Sequence, residues 1–324
     1  MRNGLSLFSD YVHGLNAVAV DGDVDALTGW AVERLSNILG FDCAWYGWAE
    51  IDRTSVEIHA SATRNLPEGY FEFWCGIATE DILAATIRER PDSVATYDRA
   101  SGSQTDGMQT LADTFGLRRM ATAMRLRQER AASLFVSAYR GGATAPRWED
   151  EEREFLRCAV DQISTAARIA AAKDALAQSG ETATVVLSDD GVAIVGLASM
   201  REKFGHLWSR TQGDRVPRAL SQYVGSAGEH LLIDSGLVAI CEPMRSSGGL
   251  SLRKLSLRPM TRSDLLTPRE RQVAGLLADG LSHKEVARHL GIAPSTVRNQ
   301  TQAIYAKLEV DNRASLATAI RDPA

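Results

Sequence analysis

Arg298, Asn299 and Gln302 fall on one face of a helix predicted to run from Pro294, because Val297, Thr301, Ile304 and Leu308 recur on the other face. These side-chain types read base edges. An arginine donates two hydrogen bonds to guanine, and an asparagine or glutamine pairs with adenine. Lys284 and Thr296 suit phosphate oxygens, contacts that set register without reading sequence. The chemistry implied is hydrogen-bonded recognition of duplex DNA, with no covalent step.

No other constellation competes. The phosphate loops GxxxxGK[ST] and GxGxxG, the zinc motif HExxH and the nucleophile elbow GxSxG are all absent. Asp21-Gly22-Asp23-Val24-Asp25 opens like a calcium loop but lacks glycine at the sixth position and glutamate at the twelfth, which is Val32. Ser251-Leu252-Arg253-Lys254 matches SxxK without the motifs that accompany it in β-lactamases. His283 and His289 share one short helix with no third ligand near in sequence. Cys43, Cys75, Cys158 and Cys241 lie far apart and read as buried free thiols. The chain is therefore expected to be no enzyme, with no catalytic residue, metal or cofactor.

The elements that hold the reading face are well signposted. Thr267, Pro268 and Glu270 make an N-cap, a first-turn proline and a capping box. Val273, Leu276 and Leu277 face inward, and Gly280 stops that helix. Ser282 and Glu285 make a second capping box, and Val286 and Leu290 face inward before Gly291. The short turn Gly291-Ile292-Ala293 then leads to Pro294. Two short helices across a glycine-containing turn are a helix-turn-helix. The final 58 residues read as all helical.

The string LTPRERQVAGLLADGLSHKEVARHLGIAPSTVRNQTQAIYAKLEVDNRASL resembles the C-terminal DNA-binding domain of LuxR/FixJ-type transcription regulators and covers about one sixth of the chain. The resemblance implies four helices, the third in the major groove and the fourth often mediating dimerisation, starting at Asn312 to Leu316. It places Arg298, Asn299 and Gln302 at base-reading positions. Lys284, Thr296, Gln300 and Lys307 fall at or near backbone-contacting ones. Two departures stand out. Ala293 occupies the N-cap where serine or threonine is frequent, a loss of about 0.5–2 kcal/mol. Gln300 stands where histidine is common.

The rest of the 324 residues is a separate problem. The length suggests two or three domains. Apolar residues are 44% and charged residues 24%, an ordinary soluble composition. No run of about 18 apolar residues suggests a membrane span. Asp10 interrupts the first apolar stretch, so no signal peptide is expected and the chain reads as cytoplasmic. Residues 245–324 hold 13 Lys/Arg against 7 Asp/Glu, whereas the remainder holds 23 against 34. A basic end on an acidic body hints at a polyanion partner for that end.

Residues 24–40 read as an amphipathic helix ended by Gly40. An aromatic strand at 42–48, a strand at 55–62 and a helical crossing at 68–90 interrupted near Gly76 follow. Residues 100–107 read as a flexible crossing, and 120–126 with 134–138 as an antiparallel pair. A long helix from Glu149 to about Ala177 carries Leu156, Ile163, Ala170 and Ala177 seven apart. That repeat suits either a seam with a twin chain or a helix covering its own sheet, with Lys173 interrupting the stripe.

This order is similar to that of a GAF domain, and Pro146-Arg147-Trp148-Glu149-Asp150-Glu151-Glu152 is its most GAF-like piece. The resemblance implies a small-molecule pocket above the sheet. Seven aromatics lie between residues 45 and 74, and Trp45, Tyr46, Phe71 and Trp74 are the candidate ligand contacts. Strand alternation puts Trp45 opposite Tyr46, which makes these two rivals. The cyclic-nucleotide motif and a bilin-attachment cysteine are absent.

Gln178-Ser179-Gly180 breaks the long helix. Residues 181–258 resemble a degenerate PAS domain: a hairpin at Asp189-Asp190-Gly191, short helices, a second hairpin at Asp234-Ser235-Gly236 and a last strand over Leu250–Leu257. A linker at 259–266 leads to the helical end. The expected chain is thus multidomain: an α+β GAF-like domain at 1–178, a small α+β PAS-like spacer at 181–258 and an all-α helix-turn-helix domain at 262–324.

Its expected partners are double-stranded DNA, a small apolar or aromatic effector and a second copy of itself. RNA polymerase is a candidate partner and a membrane is not. Two readings of the body remain open beside it. One is an acyl-homoserine-lactone domain, although no tryptophan here has tyrosine four residues on. The other is a ligand-independent dimerisation scaffold.

Overall fold

The computed structural model describes residues 4–21, 23–52, 54–101, 104–126, 132–177, 181–207, 214–244 and 249–321, with residues 172–177 and 321 as backbone only. The expected break at Gln178–Gly180, Gly22 of the calcium-like opening and the Lys173 side chain fall outside the description. By compactness the chain divides into residues 1–229 with 239–257, and residues 230–238 with 258–324.

The first sheet follows the expected element order. Asp23 caps α2 (Val24–Leu39) by accepting the Ala26 N–H at 2.8 Å, and Gly40 closes it in the left-handed region. Asp23 is thus a helix cap rather than a calcium ligand. β1 (Cys43–Ile51) pairs antiparallel with β2 (Val56–Arg64) and, on its other edge, with β5 (Ser133–Gly141). β4 (Leu117–Met124) and β3 (Ala95–Asp98) complete the order β2-β1-β5-β4-β3. Gly47 is obligatory in β1: any Cβ there would lie 2.0 Å from the Ala60 carbonyl oxygen.

Period-two alternation divides the apolar residues between two layers. Tyr46, Trp48, Val136 and Ala138 face α2 and α6 (Asp150–Ala177). Trp45, Ala49, Met120, Met124, Phe135 and Tyr139 face α3 (Tyr70–Ile77), α4 (Ile82–Glu89) and α5 (Asp106–Thr114). Arg140 locks the lead-in to α6. Its guanidinium donates to the Leu39 carbonyl at 2.6 Å and to Glu152, and lies 3.9 Å from the Trp148 ring centre.

Three elements were not expected: α1 (Gly4–Asp21), β3 and α5. The first overturns the twin-chain seam. Leu156, Ile163 and Ala170 are buried within this chain, in one core with Tyr11 and Leu15 of α1 and Leu27, Ala31 and Leu35 of α2. The seven-residue repeat serves an intramolecular layer of helices. Gly14 of α1 permits that packing, since a Cβ there would meet the Trp30 ring at 2.7 Å.

The second sheet contains β6 (Ala183–Ser188), β7 (Ala193–Val195), β8 (Gly228–Leu232), β9 (Leu237–Pro243) and β10 (Leu252–Pro259), in the order β7-β6-β10-β9-β8. Its helices are α7 (Leu197–Phe204) and α8 (Arg218–Val224). The Asp189–Gly191 turn joins β6 and β7 as expected. Asp25, fully buried on α2, accepts the Leu250 N–H at 2.9 Å.

The helical end has α9 (Pro268–Ala278), α10 (His283–Leu290), α11 (Pro294–Leu308) and α12 (Arg313–Arg321). The expected linker before it holds a 3-10 turn, Arg262–Leu265, capped by Thr261 and Asp264. All four cysteines are unpaired, but only Cys241 is buried; Cys43 and Cys158 are half-buried and Cys75 is exposed. No helix among the described residues is long and apolar enough to cross a membrane.

Candidate nucleic-acid interface and sensor cavity

Each helix of the C-terminal bundle starts and stops for a local reason. Thr267 and Ser282 form complete capping boxes with Glu270 and Glu285. Hydrogen bonds from the Ser282 backbone and side chain hold the Glu285 carboxyl below the usual range. Gly291, φ 65°, ends α10 in the left-handed region and lets the chain turn sharply into α11.

One core unites the helices: Val273, Ala274 and Leu277 of α9, Val286 and Ala287 of α10, Val297, Ile304 and Leu308 of α11, and Leu316 of α12. Polar ties fix their angles. Arg269 donates to the Leu290 carbonyl at 3.0 Å, and Arg313 donates to the Leu277 carbonyl at 2.7 Å. With that face of α11 buried, Thr296, Arg298, Asn299 and Gln302 are exposed on the other, as is Lys284 on α10. Thr301 is buried and turns its hydroxyl to the Val297 carbonyl at 2.8 Å.

The outer layer of the first sheet encloses a cavity of about 40 Å³. Trp45, Tyr70, Trp74, Phe135 and Tyr139 line it, with Met108, Met120, Met124 and apolar residues of β1, β2 and α4. The Trp45 ring stands 4.8 Å from Trp74 and 4.9 Å from Phe135. Polar atoms are few and mostly partnered. Trp74 Nε1 donates to Asp81 at 2.8 Å, and the Tyr70 and Tyr139 hydroxyls lie 2.8 Å apart. Burial raises the Asp81 carboxyl, and hydrogen bonds from Trp74, Ala84 and Leu83 oppose it. Trp45 Nε1 is the exception: a buried donor with no hydrogen-bond partner among the described residues.

Residues 264–320 match the family model for bacterial regulatory proteins of the luxR family. Residues 264–320 are a LuxR-type helix-turn-helix domain. Curated relatives match over short stretches. The chain is 35% identical over 88 residues to the monoamine regulon transcriptional regulator of Klebsiella aerogenes, covering 26% of this chain and 39% of that protein. The chain thus spans under half the length of this curated relative.

Two solved structures are similar at low scores. The N-acylhomoserine lactone-dependent LuxR family transcription factor CepR2 of Burkholderia cenocepacia has a TM-score of 0.38 and 17% identity, covering 54% of this chain and 99% of that one. The phycoerythrobilin-bound GAF domain of a cyanobacterial phytochrome has a TM-score of 0.36 and 12% identity, covering 53% and 98%.

Within the LuxR-type domain the candidate contacts divide into three groups. Arg298, Asn299, Gln302, Thr296 and Lys284 are on the open surface. Gln300 is half-buried, and its enclosed Oε1 has no partner among the described residues. Lys307 is engaged inside the domain, donating to Glu270 Oε2 at 2.6 Å. Ala293 supplies no side-chain cap, and Pro294 alone preorganises the first turn of α11.

In the first unit, Trp45 and Trp74 come together on the cavity side. Tyr46 lies on the opposite face, in the core with α2 and α6. Phe71 stacks on Trp74 at 6.3 Å, 37% exposed and outside the cavity lining. Phe135 and Tyr139 were missed as cavity residues. The signal that could find them is register: Trp45 pairs with Ser137, so the residues two before and two after Ser137 share its face.

Proposed function

We propose that the chain is a DNA-binding transcription regulator whose α11 reads base edges in a major groove. One observation carries this reading: Arg298, Asn299 and Gln302 stand exposed on the helix that follows the tight turn of a LuxR-type domain. Lys284 and Thr296 serve as phosphate contacts beside them. Gln300 and Lys307 are secondary, because one is half-buried and the other is ion-paired. The regulator acts as a homodimer through a surface other than the buried 156–170 stripe, with RNA polymerase as a candidate partner. Selection of duplexes from a randomised pool by the full chain tests the assignment. A recovered consensus supports it, and recovery of no preferred sequence refutes it.

We further infer that the first unit responds to a small apolar or aromatic molecule, with Trp45 and Trp74 as its contacts. The supporting feature is the orphan Trp45 Nε1, a donor that an acceptor on such a molecule would satisfy. One water needs about 10–15 Å³ of such space, so the present cavity has the volume of only a few waters and must open to admit an effector. The small volume favours the second reading, a ligand-independent scaffold. Thermal-shift screening of the full chain with small aromatic molecules separates the two. A hit whose shift is lost in Trp45→Phe supports sensing, and an empty screen supports the scaffold.

A further inference from the structure

His59 is an unusual residue in β2. The register between β1 and β2 shifts at Trp48/Ala49, and His59 is the extra residue at that bulge. Its side chain is fully buried. Nδ1 lies 3.1 Å from Asp190 Oδ2, on the turn between β6 and β7. Asp190 can accept an N–H from Nδ1 in the tautomer that places the ring proton there. The lone pair is left on Nε2.

Among the described residues Nε2 has no hydrogen-bond partner, and it faces acid. Glu50 Oε2 is 3.9 Å away. Glu50 and Glu57 are a directly opposed cross-strand pair on the same face as His59. Like charges set opposite one another destabilise a sheet. Arg215 answers Glu57 at 2.8 Å, but among the described residues Glu50 has only His59. One ligand atom from each of Glu50, Glu57 and His59 lies within 4.8 Å of the others.

We propose that Glu50, Glu57 and His59 bind one divalent first-row transition-metal cation, represented by zinc, with Asp190 orienting His59 from behind. A neutral imidazole and two carboxylates suit zinc and its neighbours, whereas calcium and magnesium prefer oxygen alone. A carboxylate on the far nitrogen of a ligating histidine fixes its tautomer and raises its basicity. Metal–ligand bonds of about 2.0–2.2 Å require the two glutamates to draw in. Both side chains are partly exposed, which leaves room for that movement, although Glu57 must keep or release its Arg215 contact. Glu57 can offer the oxygen that Arg215 does not hold. The cation would cancel the charge opposition on β1 and β2 and stiffen their contact with the Asp190 turn.

The test uses the full chain, stripped with a chelator and titrated with zinc chloride and with cobalt chloride. The variants are Glu50→Gln, His59→Gln and Asp190→Asn. Wild type should retain one equivalent of zinc on dialysis, melt at a higher temperature with it and give a cobalt absorption band. Excess calcium or magnesium should not displace the metal. Asp190→Asn should weaken binding about 10- to 100-fold. Glu50→Gln and His59→Gln should weaken it at least as much. His59→Gln could disturb the buried bulge, so the part-exposed Glu50→Gln decides. Zinc bound equally by wild type and Glu50→Gln, no zinc retained by wild type, or displacement by magnesium would each overturn the site.

Discussion

Lys307 Nζ donates to Glu270 Oε2 at 2.6 Å, and the same carboxylate oxygen accepts the Thr267 backbone N–H at 2.8 Å. The third helix is thereby pinned to the cap of the first. Hydrogen bonding from Lys307, then from Thr267, holds Glu270 below the usual carboxylate range. Lys307→Met is expected to cost up to about 1 kcal/mol of stability, as part-exposed ion pairs do. It should leave the salt dependence of DNA binding nearly unchanged. Lys284→Ala should do the reverse, lowering the slope of log affinity against log salt by about 1. Binding titrations across a salt series distinguish the two lysines.

Arg140 is the second anchor. It is 3% exposed, donates through its two terminal nitrogens to the Leu39, Pro146 and Arg147 carbonyls and to Glu152, and stacks on Trp148, while its Nε has no partner among the described residues. Removing the guanidinium strands the Leu39 carbonyl and a part-exposed Glu152 carboxylate. Arg140→Ala should therefore cost about 1–3 kcal/mol, read as a lower unfolding temperature of the full chain. A loss within the scatter of surface substitutions would show that the carboxylate finds water instead.

Much of the C-terminal domain was legible because its signals are local. Thr267, Ser282, Gly291 and the two prolines act within one turn, and burial then selects which face of α11 remains open. The Lys307 pair was not legible, since it joins residues 37 apart and no local pattern marks it. The same limit governs the first unit. Strand alternation separated Trp45 from Tyr46, but not which of them meets the cavity. That depends on which helices cover which face. The seven-residue series in α6 was ambiguous for the same reason. A stripe of buried positions looks alike whether its partner is a second chain or α1 and α2.

Ile163 tests that reassignment. It is fully buried against the N-terminal helices, so Ile163→Glu places an unpaired charge in the core. The expected result is loss of folded, soluble protein, measured by circular dichroism and sedimentation. A folded monomer replacing a wild-type dimer would restore the intermolecular seam.

Asp264 supplies a pH dependence. Burial works against its charge, but hydrogen bonds from Arg258 and Thr261 bring its pKa to about 2. A pKa lowered on folding stabilises above the unfolded value. The contribution is full above about pH 5 and is lost as the pH falls from about 4 toward 2. Asp264→Asn should cost about 2 kcal/mol at neutral pH, and progressively less in acid. Thermal melts of wild type and variant between pH 7 and pH 3 should converge as the pH drops. A constant gap would mean that the side chain acts by shape alone.

The central claim is that α11 reads sequence, and Arg298 tests it most directly. Affinity of wild type and Arg298→Ala is to be measured on the selected duplex and on a random duplex at one salt concentration. The expected result is a loss of about 1–3 kcal/mol, roughly 5- to 150-fold, confined to the selected duplex and accompanied by relaxed preference at one base pair. An equal loss on both duplexes would contradict the account, because Arg298 would then be holding phosphate and reading nothing.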